Sequence, residues 1–545
     1  MKVVIIGGVA GGASTAARLR RLDEKAEIIV FEKGNYISYA NCGLPYYIGN
    51  VITNRNRLFI ETPQSFKSRF NIDVRVEQEV TDIDAANKYV IVQNLNTKEI
   101  YRESYDKLVL SSGAFPYIPD IKGIKNEITF TVRNVSDTDA VKAFIENRQV
   151  KNAVVVGSGF VGLEMVENLN YQGIDVTLVE IDKQVMPTMD FTMAKLIHKE
   201  LANNNINILL ERHIIEYQHS ENGLRLILNN GEIIETELVI LAIGIKPDAE
   251  LAKKSGLEIG TLGGIKVNQY LQTSNSDIYA IGDAIEMNNI VTNTPMLLPL
   301  AGPANKQGRI AANNIAMGNV EEFTGGIGNC ITKVFDLTVS KAGVSAKMLR
   351  NNNIAYISSY THSPSHATYY PDAAALTMKI IFSPDTGQLF GAQIIGNEGV
   401  DKRIEMLAQV IQQKGSIYDL CRLEHAYAPP YSSAKDPVNM AGFVANNILS
   451  GKMKIVHWKD LQENDFILDV RTTQEYKQEN IKNAVNIPLD EIRGHLNGIP
   501  KDKRIIVYCG IGLRAYFACC ILSQLGYNQV YNLSGGYKTY KMAML

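Results

Sequence analysis

Short runs of Val, Ile and Leu alternate with longer helical stretches from residue 1 to about residue 320 of the 545-residue chain. This alternation is typical of parallel strands joined by helical crossovers. Two segments open in the same way: "KVVIIGGVAGGASTAARLRR" from Lys2 and "NAVVVGSGFVGLEMVENL" from Asn152 each pass from an apolar strand through glycines into a helix. Each is followed by a second apolar strand that ends in a glutamate, Glu32 and Glu180. The pattern predicts an α/β protein with a duplicated nucleotide-binding unit.

The pattern changes twice more along the chain. From about 325 to 445, longer strands and amphipathic helices indicate an α+β domain, in which "LTMKIIFSPDTGQLFGAQIIG" predicts a hairpin that turns at Pro384 to Gly387. After a segment containing Ser450 to Lys452, the last residues again alternate strand and helix. The predicted divisions are 1–150 with 276–320 for a first nucleotide-binding domain, 151–275 for a second, 325–445 for the α+β domain, 446–454 for a linker and 455–545 for a last α/β domain.

Charge and composition narrow the function classes. The 55 basic and 57 acidic residues leave a net charge of −2, which predicts a soluble enzyme without a nucleic-acid-binding surface. The chain opens directly on a strand and no apolar run reaches the ~18 residues that cross a bilayer, so we expect a cytoplasmic protein without a signal peptide or a membrane contact. The six cysteines are scattered singly, unlike those of a disulfide-stapled scaffold, and no metal site is predicted. They are Cys42, Cys330, Cys421, Cys509, Cys519 and Cys520.

The two glycine turns differ in how well they match the dinucleotide-binding pattern G-x-G-x-x-G. The second turn matches it fully, at Gly157, Gly159 and Gly162. The first departs from it, because Val9 stands where the middle glycine is expected between Gly7 and Gly12, although Gly8 relaxes the same turn. Such glycines allow a tight bend, a close approach to a pyrophosphate and packing of helix on strand. One motif alone is weak, but the pair predicts two Rossmann-like dinucleotide-binding domains.

The glutamates that close the second strand of each unit, Glu32 and Glu180, are placed to accept hydrogen bonds from ribose hydroxyls. Glu180 would repel the 2′-phosphate of NADPH, so NADH is expected at the second site, and the nearby Lys183 leaves NADPH as an alternative. The alternative is that each glutamate only ends its strand and is solvated, without binding a ligand. Small-residue turns after apolar strands mark further points where the chain can pass close to a nucleotide. They end "YDKLVLSSG", "ELVILAIG" and "SDIYAIGD".

Together these segments resemble the flavoprotein disulfide reductases with two dinucleotide-binding domains, over about residues 1 to 445. The resemblance implies FAD in the first domain, a nicotinamide cofactor in the second, and a homodimer whose interface domain reaches into the active site of the other subunit. For FAD it implies Gly7, Gly8, Gly12, Glu32, Lys33, Asn41, Ser112, Gly113, Arg133, Asp283 and Ala301, with Asp283 on the ribityl chain. For the nicotinamide nucleotide it implies Gly157, Gly159, Gly162, Glu180 and Gly244.

The segment "SYANCGLPYY" has one cysteine, Cys42, where other members of this family carry a C-x₄-C pair. The chain therefore resembles the single-cysteine branch, which contains NADH peroxidases, water-forming oxidases and coenzyme A disulfide reductases. The peroxidase-like members have a histidine at the position of Ala10, while "SYANCGLPYYIG", "SHATYYPDAAALTMKI" and "AYAPPYSSAKDPVNMAGFVA" resemble the coenzyme A reductases. The resemblance thus implies that coenzyme A supplies the second sulfur. An NADH oxidase or peroxidase that uses a Cys42 sulfenic acid is the alternative.

The same resemblance implies the chemistry around this thiol. Cys42 would act as a thiolate, and the helix predicted after it is expected to lower its pKa. A departing thiolate needs a proton donor, for which the resemblance implies Tyr369 and Tyr427 from the interface domain. Their neighbours Tyr370 and Tyr431 are close competitors for that role.

Coenzyme A itself needs cationic groups for its phosphates. Arg18 and Arg21 are three positions apart on the first predicted helix and so share a face. A solvated basic face explains them equally well on charge alone, and the resemblance favours phosphate binding. It also implies that Ser38 and Asn41 lie beside the pantetheine or the flavin.

The segments "DFILDVRTTQEYKQENIKNAVNIPL" and "KRIIVYCGIGLRAYFACCILSQLGYNQVYNLSGGY" resemble a rhodanese, a sulfane-sulfur transferase, over nearly all of residues 455 to 545. A strand delivers Cys509 into a loop whose backbone N–H groups can surround its sulfur, and Arg514 follows five residues later. The C-x₄-R spacing of Cys509 and Arg514 is close to the C-x₅-R pattern of phosphatase loops, but the strand with Asp469 and Arg471 favours a rhodanese.

The sequence thus predicts an FAD-dependent, NADH-preferring reductase of coenzyme A disulfide, coenzyme A persulfide or polysulfide. Sulfane sulfur would be carried on Cys509, and the expected partners are small sulfur compounds and a second copy of the chain. A redox-sensing or sulfur-carrier module is the alternative outside the enzymes.

Overall fold

The computed structural model describes residues 1–544. Among these residues no helix is long and apolar enough to cross a bilayer. The α-helices, numbered in chain order, are α1 Ala10–Leu22, α2 Leu44–Ile48, α3 Pro63–Phe70, α4 Val135–Arg148, α5 Phe160–Asn170, α6 Phe191–Asn203, α7 Glu250–Lys254, α8 Ala301–Met317, α9 Ala346–Asn351, α10 Val400–Gln412, α11 Ile417–Arg422, α12 Pro437–Leu449, α13 Thr473–Gln478, α14 Leu513–Gln524 and α15 Gly536–Met544.

The strands are numbered in the same way. They are β1 Lys2–Ile6, β2 Glu27–Glu32, β3 Asp73–Val76, β4 Gln78–Asp84, β5 Tyr89–Asn94, β6 Ile100–Ser104, β7 Lys107–Leu110, β8 Ala114–Pro116, β9 Thr129–Phe130, β10 Asn152–Val156, β11 Asp175–Glu180, β12 Asn207–Leu210, β13 Ile214–Ser220, β14 Gly223–Leu228, β15 Ile233–Thr236, β16 Val239–Leu241, β17 Ile245–Pro247, β18 Ile265–Lys266, β19 Ile278–Ala280, β20 Ile285–Asn288, β21 Pro295–Met296, β22 Cys330–Val334, β23 Leu337–Gly343, β24 Ile357–Pro364, β25 Ala375–Phe382, β26 Leu389–Gly396, β27 Ile455–Val456, β28 Phe466–Asp469, β29 Val485–Asn486, β30 Ile505–Tyr508 and β31 Val530–Leu533.

The contacts divide the chain into two units. The first comprises Met1–Lys183 and Ile206–Gly326, and the second comprises Gln184–Asn205 and the residues from 327 onward. Each unit contains two five-stranded sheets.

The first unit contains the two predicted Rossmann-like sheets, with strand orders β19-β7-β1-β2-β3 and β12-β11-β10-β16-β9. The strands β1 and β10 pair with parallel neighbours on both sides. Val3, Val4 and Ile5 of β1 are fully buried, because a parallel strand covered on both faces needs an uninterrupted apolar run. The two glycine turns directly follow β1 and β10. At these strands the chain connections lead to opposite sides of the sheet, and doubly wound sheets bind ligands at such a point. The predicted α/β class and the duplication are confirmed.

The second unit begins with an antiparallel sheet of order β22-β23-β26-β25-β24. The strands β25 and β26 pair as the predicted hairpin around Pro384 to Gly387, so that prediction is confirmed. Helix α10 packs on β23 and β26, and α12 packs on β24. Since α12 continues to Leu449, the first residues of the segment 446–454 predicted as a linker are helical, while the domain limits stay predictions.

The last part of the second unit is a parallel sheet of order β27-β31-β30-β28-β29. The four residues of β30 are buried, and the strand ends at Tyr508, directly before Cys509. Helix α14 turns Ala515, Cys519 and Leu522 into the core of this sheet. Cys519 is therefore a packing residue.

Helix α6 is held in the second unit by a buried ion pair. The carboxylate of Asp190, which precedes α6, accepts hydrogen bonds from Lys379 Nζ at 2.8 Å, Gln393 Nε2 at 3.0 Å and the backbone N–H of Ala346 at 3.1 Å. Both charged side chains are more than nine-tenths buried. The other side of α6 contacts α15, so this helix connects the two sheets of its unit.

Candidate active site

The first glycine turn is held by the carboxylate that was predicted to face a ribose. Gly7 to Gly12 connect β1 to α1, and Glu32 ends the adjacent strand β2. Glu32 accepts hydrogen bonds from the N–H groups of Gly8 at 2.9 Å and Gly34 at 2.8 Å. Each carboxylate oxygen can accept more than one hydrogen bond, so Glu32 fixes the turn and keeps acceptor capacity for the hydroxyls of a ligand.

A cavity of about 620 Å³ opens beside this turn, within the size range of ligand pockets. Eight of the residues predicted to bind FAD line it: Gly7, Glu32, Lys33, Asn41, Ser112, Gly113, Arg133 and Asp283. The predicted residues Gly8, Gly12 and Ala301 are not among the lining residues. Gly8 belongs to the turn itself, Gly12 lies in the first turn of α1, and Ala301 is the first residue of α8.

The cavity fits a flavin dinucleotide in its polar groups. Asn41 Oδ1 in the lining is buried and has no hydrogen-bond partner among the described residues. The same holds for Nε2 of Gln307, whose Oε1 accepts a hydrogen bond from the lining residue Gly282. Buried polar atoms are nearly always paired, so these two indicate a polar ligand. Arg133 and Asp283 lie 3.7 Å apart in the lining, and burial raises the pKa of Asp283 while Arg133 lowers it. One cation for a pyrophosphate and one carboxyl for hydroxyls match the needs of FAD.

The second glycine turn lies between β10 and α5. Gly157 adopts φ +97°, and a side chain at Gly162 would strike the carbonyl oxygen of Gly157 at 2.0 Å. A side chain at Gly159 would meet no atom within 4 Å, so the space in front of this residue is open to a ligand. The turn leads directly into α5, whose first N–H groups favour an anion. Its shape therefore fits the pyrophosphate of a nicotinamide nucleotide.

The carboxylate at the end of β11 completes this second site. Glu180 is buried and accepts hydrogen bonds from the N–H groups of Ser158 and Asp182, both at 2.9 Å, and from the Ser158 hydroxyl. Gly244, with φ +114°, also faces open space. A fixed negative charge at this position repels a 2′-phosphate, which favours NADH.

Cys42 lies in a short 3₁₀ turn, Asn41–Gly43, directly before α2, and its thiol is free. Desolvation of the sulfur raises the pKa of the Cys42 thiol, and the carboxylates of Glu164 and Asp283 raise it further. The expectation that the following helix lowers this pKa is therefore wrong. Helix α2 has only five residues, and desolvation, followed by the two carboxylates, outweighs its weak dipole.

The two predicted tyrosines come together at the surface of the second unit. The hydroxyls of Tyr369 and Tyr427 are hydrogen-bonded to each other, and both side chains are exposed. This bond raises the pKa of Tyr427. The ring of one competitor, Tyr370, packs edge-on against His366, and the other competitor, Tyr431, is exposed. The role of Tyr369 and Tyr427 as proton donors stays a prediction.

The residues predicted to hold coenzyme A are dispersed around α1 and the first turn. Arg18 is half-buried and donates from Nε to Asn313 Oδ1 at 2.9 Å, while Arg21 is exposed. Ser38 adopts φ +46° and donates its N–H to the carbonyl oxygen of Gly8 at 2.9 Å. These three do not line the cavity, so their contact with coenzyme A stays a prediction.

The loop after β30 directs one backbone N–H group at the sulfur of its cysteine. Cys509 is buried, and the N–H of Gly512 points at its sulfur at 3.1 Å. The Arg514 guanidinium also interacts electrostatically with Cys509. Beneath the loop, Asp469 and Arg471 form a buried ion pair at 2.7 Å that anchors β28.

The charge of this loop is cancelled by a residue that the sequence did not single out. Glu475 accepts two hydrogen bonds from the Arg514 guanidinium, at 2.6 and 2.7 Å, and this contact lowers the pKa of Glu475 to about 2. Thr472 and Glu475 form a capping box at the start of α13, a pattern visible in the sequence, but the pairing with Arg514 is not. Exposed apolar side chains, Ile511, Leu513 and Phe517, follow Cys509 along the chain.

Three family descriptions match successive parts of the chain. The pyridine nucleotide-disulphide oxidoreductase family matches residues 1–308, and the dimerisation domain of that family matches residues 330–437. The rhodanese-like domain matches residues 456–543.

Individual proteins match over nearly their whole length. The coenzyme A disulfide reductase of Staphylococcus epidermidis is 36% identical over 444 residues, which cover 82% of this chain and 99% of that protein. Reduced CoADR-RHD of Bacillus anthracis superposes with a TM-score of 0.98 at 47% identity, covering 100% of this chain and 98% of that one. The NAD-dependent persulfide reductase from A. fulgidus gives a TM-score of 0.94 at 37% identity, covering 99% and 100%. The chain therefore belongs to the pyridine nucleotide-disulphide oxidoreductase family and carries a C-terminal rhodanese-like domain.

Proposed function

We propose that this protein is an FAD-dependent, NADH-preferring reductase that acts on coenzyme A disulfide, coenzyme A persulfide or polysulfide through Cys42. The observation that carries the proposal is the isolation of this thiol. Cys42 is the only cysteine of the first unit, since the other five lie at residue 330 or beyond. An exposed thiol without a partner cysteine in its unit is suited to form its disulfide with a substrate. The reductases of coenzyme A disulfide and of persulfide among the relatives support the substrate class.

The reaction begins when the Cys42 thiolate attacks a sulfur of the substrate. With CoA–S–S–CoA, a Cys42–S–S–CoA bond forms and CoA–S⁻ leaves; with CoA–S–SH, attack on the inner sulfur gives the same adduct and HS⁻ leaves. The leaving sulfur then takes up a proton. NADH would supply, by way of bound FAD, the two electrons that, with one more proton, return Cys42 to the thiolate and release CoA–SH.

The pair of tyrosines is the proposed proton donor to the leaving sulfur. Tyr369 and Tyr427 share a hydrogen bond between their hydroxyls, so a proton given up by one is replaced along that bond by the other. The match to a dimerisation domain supports a homodimer, and we propose that the tyrosine pair of one subunit serves Cys42 of the other. Arg18, Arg21 and Ser38 are proposed to contact coenzyme A at the same place.

The rhodanese-like domain is proposed to carry sulfane sulfur on Cys509. Cys509–S⁻ attacks the outer sulfur of a persulfide R–S–SH, R–S⁻ leaves, and Cys509–S–SH remains. The Arg514 charge is cancelled by Glu475, and exposed apolar side chains follow the loop. Removing the thiosulfate dianion from water costs free energy that a site without net positive charge does not offset. An organic persulfide with an uncharged arm avoids this cost and therefore suits the site better.

The proposal is tested by mass spectrometry of the holoenzyme under non-reducing conditions, together with NADH oxidation in the presence of coenzyme A disulfide. We expect a coenzyme A adduct on the Cys42 peptide, and neither adduct nor turnover in Cys42→Ser. Cys330→Ser is the matched control and is expected to keep both. NADH consumption with peroxide or dioxygen, and none with coenzyme A disulfide, would favour the oxidase or peroxidase alternative. Ala10 argues against that alternative, because it lines the cavity where the peroxidase-like members have a histidine.

Sharing of the active site between subunits is tested with mixed dimers. Cys42→Ser and the double variant Tyr369→Phe with Tyr427→Phe are each expected to be inactive as homodimers. If the site is shared, random mixing gives half mixed dimers with one intact site of two, so about a quarter of wild-type activity returns. No recovery in mixed dimers would contradict the sharing.

A further inference from the structure

A buried polar contact joins the dimerisation domain to the rhodanese-like domain inside the second unit. His362, on β24, lies between two threonines: Nδ1 is 2.9 Å from Thr377 Oγ1 on β25, and Nε2 is 2.8 Å from Thr539 Oγ1 on α15. His362 is 8% exposed and Thr539 only 1%. Burial lowers the pKa of His362 to about 3, and the Lys538 ammonium adds to this effect. The ring is therefore neutral, and one nitrogen donates while the other accepts.

The turn that leads into α15 is pressed against the same strand. The N–H of Tyr360 on β24 donates to Ser534 Oγ at 3.3 Å. A side chain at Gly535 would strike Tyr360 Cβ at 2.9 Å and Thr539 Oγ1 at 1.9 Å, and the φ of Gly535 is +72°. No residue other than glycine fits at this position, so β24 sets the place of the turn closely.

The opposite side of this turn faces the Cys509 loop. The N–H of Tyr537 donates to the carbonyl oxygen of Cys509 at 2.7 Å, and the N–H of Lys538 donates to that of Gly510 at 2.9 Å. A side chain at Gly536 would lie 2.4 Å from the Cys509 carbonyl oxygen. The start of α15 therefore holds the backbone of the loop that presents the sulfur, while its next turn, through Thr539, is held by His362.

We propose that His362, a residue of the dimerisation domain, is a positioning residue for Cys509: through Thr539 it holds α15 at the place where that helix fixes the loop for sulfur transfer. The proposal rests on the function proposed above for Cys509. In the transfer, the bond between the two sulfurs of R–S–SH breaks as the bond from Cys509 to the outer sulfur forms. The electron pair leaves with R–S⁻, the proton stays on the transferred sulfur, and nothing is oxidised overall. A displacement of the attacking sulfur of about 1 Å is enough to slow such a reaction strongly.

The test uses the full-length holoenzyme without NADH and follows the gain of sulfur from coenzyme A persulfide on the Cys509 peptide by mass spectrometry. Thr539→Val removes the hydroxyl at nearly constant volume and is expected to slow this gain by about tenfold or more. Thr539→Ser restores the hydroxyl and is expected to recover most of the rate. Thr361→Val is the matched control, because Thr361 is buried on the opposite face of β24, and it is expected to react like the wild type.

A second pair of variants approaches the same bond from the other side, and it decides the question if Thr539→Val does not fold. His362→Gln places its amide near the position of Nε2 and is expected to keep the transfer, whereas His362→Asn reaches only the position of Nδ1 and is expected to lose it. Reduction of coenzyme A disulfide through Cys42 is expected to stay unchanged in all of these variants.

The outcomes separate this role from the function on which it rests. A wild-type rate in Thr539→Val and His362→Asn would overturn the positioning role, and so would an equal loss in Thr361→Val. If the wild-type enzyme gains no sulfur on Cys509 from any persulfide, the proposed function of the rhodanese-like domain fails, and the role of His362 fails with it.

Discussion

Glu475 sets the charge at the Cys509 loop, so Glu475→Gln is expected to change which sulfur donors the loop accepts. In the structure the two carboxylate oxygens lie 2.6 and 2.7 Å from the Arg514 guanidinium, which in turn interacts electrostatically with Cys509. Glutamine keeps the capping box with Thr472, because the amide can still accept from the Thr472 N–H. The substitution therefore keeps the shape of the loop and leaves the positive charge of Arg514 uncompensated beside it.

The magnitude follows from the distance between the carboxylate and a donor bound at Cys509. The Arg514 guanidinium lies between the Glu475 carboxylate and the donor, so the two are about 7 Å apart. At an effective dielectric constant of about 40 to 80, the repulsion between this carboxylate and a dianion, which the substitution removes, is ~1–2 kcal/mol. This corresponds to a gain of about 5- to 30-fold in kcat/KM for thiosulfate. A donor whose reacting sulfur carries no charge is expected to gain almost nothing.

The assay is the conversion of thiosulfate and cyanide to sulfite and thiocyanate, compared with sulfur uptake from coenzyme A persulfide. Glu479→Gln is the matched control, because Glu479 lies one turn further on and its carboxylate pairs with Lys541 instead of Arg514. The gain for thiosulfate is expected to shrink at high salt. An equal gain for both donors, no gain for thiosulfate, or the same gain in Glu479→Gln would refute the reasoning.

Three further predictions concern the two units. Glu164→Gln is expected to lower the pKa of the Cys42 thiol, because the Glu164 carboxylate raises that pKa. The pH profile of Cys42 alkylation should therefore move to lower pH, and an unchanged profile would contradict this. Asp190→Asn leaves the Lys379 ammonium buried without its carboxylate partner, at a cost of ~3–5 kcal/mol in the free energy of unfolding. Calorimetry should therefore record a lower unfolding temperature. The double variant Asp190→Asn with Lys379→Met is expected to recover most of the lost temperature. Equal temperatures for the single and double variants would argue against the pair. Glu180→Gln removes the negative charge at the ribose end and is expected to narrow the preference for NADH over NADPH in kcat/KM; an unchanged ratio would contradict the role of Glu180.

Features that depend on local sequence were predictable. Gly157, Gly159 and Gly162 follow an apolar strand at fixed spacing, and each occupies the position that this spacing implies. The parallel strands could be located because burial on both faces demands continuous apolar runs. Cys509 could be placed in its loop for the same reason, since it directly follows the buried strand β30.

Features that depend on contacts between distant segments were not predictable. Glu475 meets Arg514 across 39 positions and His362 meets Thr539 across 177 positions, and neither pairing leaves a periodic signal. The pKa of Cys42 was predicted in the wrong direction for a related reason. The helix after Cys42 could be read from the sequence, but the approach of Glu164 from another domain could not.

The attachment of α6 has a consequence for the order in which the chain folds. This helix, Phe191–Asn203, is completed early in synthesis, but its partners are Lys379 and the helix Gly536–Met544 near the end of the chain. At translation rates of about 5–20 residues per second, Asp190 waits on the order of ten seconds or more for Lys379, and the face that meets α15 waits longer. The nascent nucleotide-binding region thus exposes an incomplete surface until the ribosome releases the last domain. Truncation after the dimerisation domain should accordingly yield a chain that recruits chaperones, even though its glycine turns and Cys42 are intact.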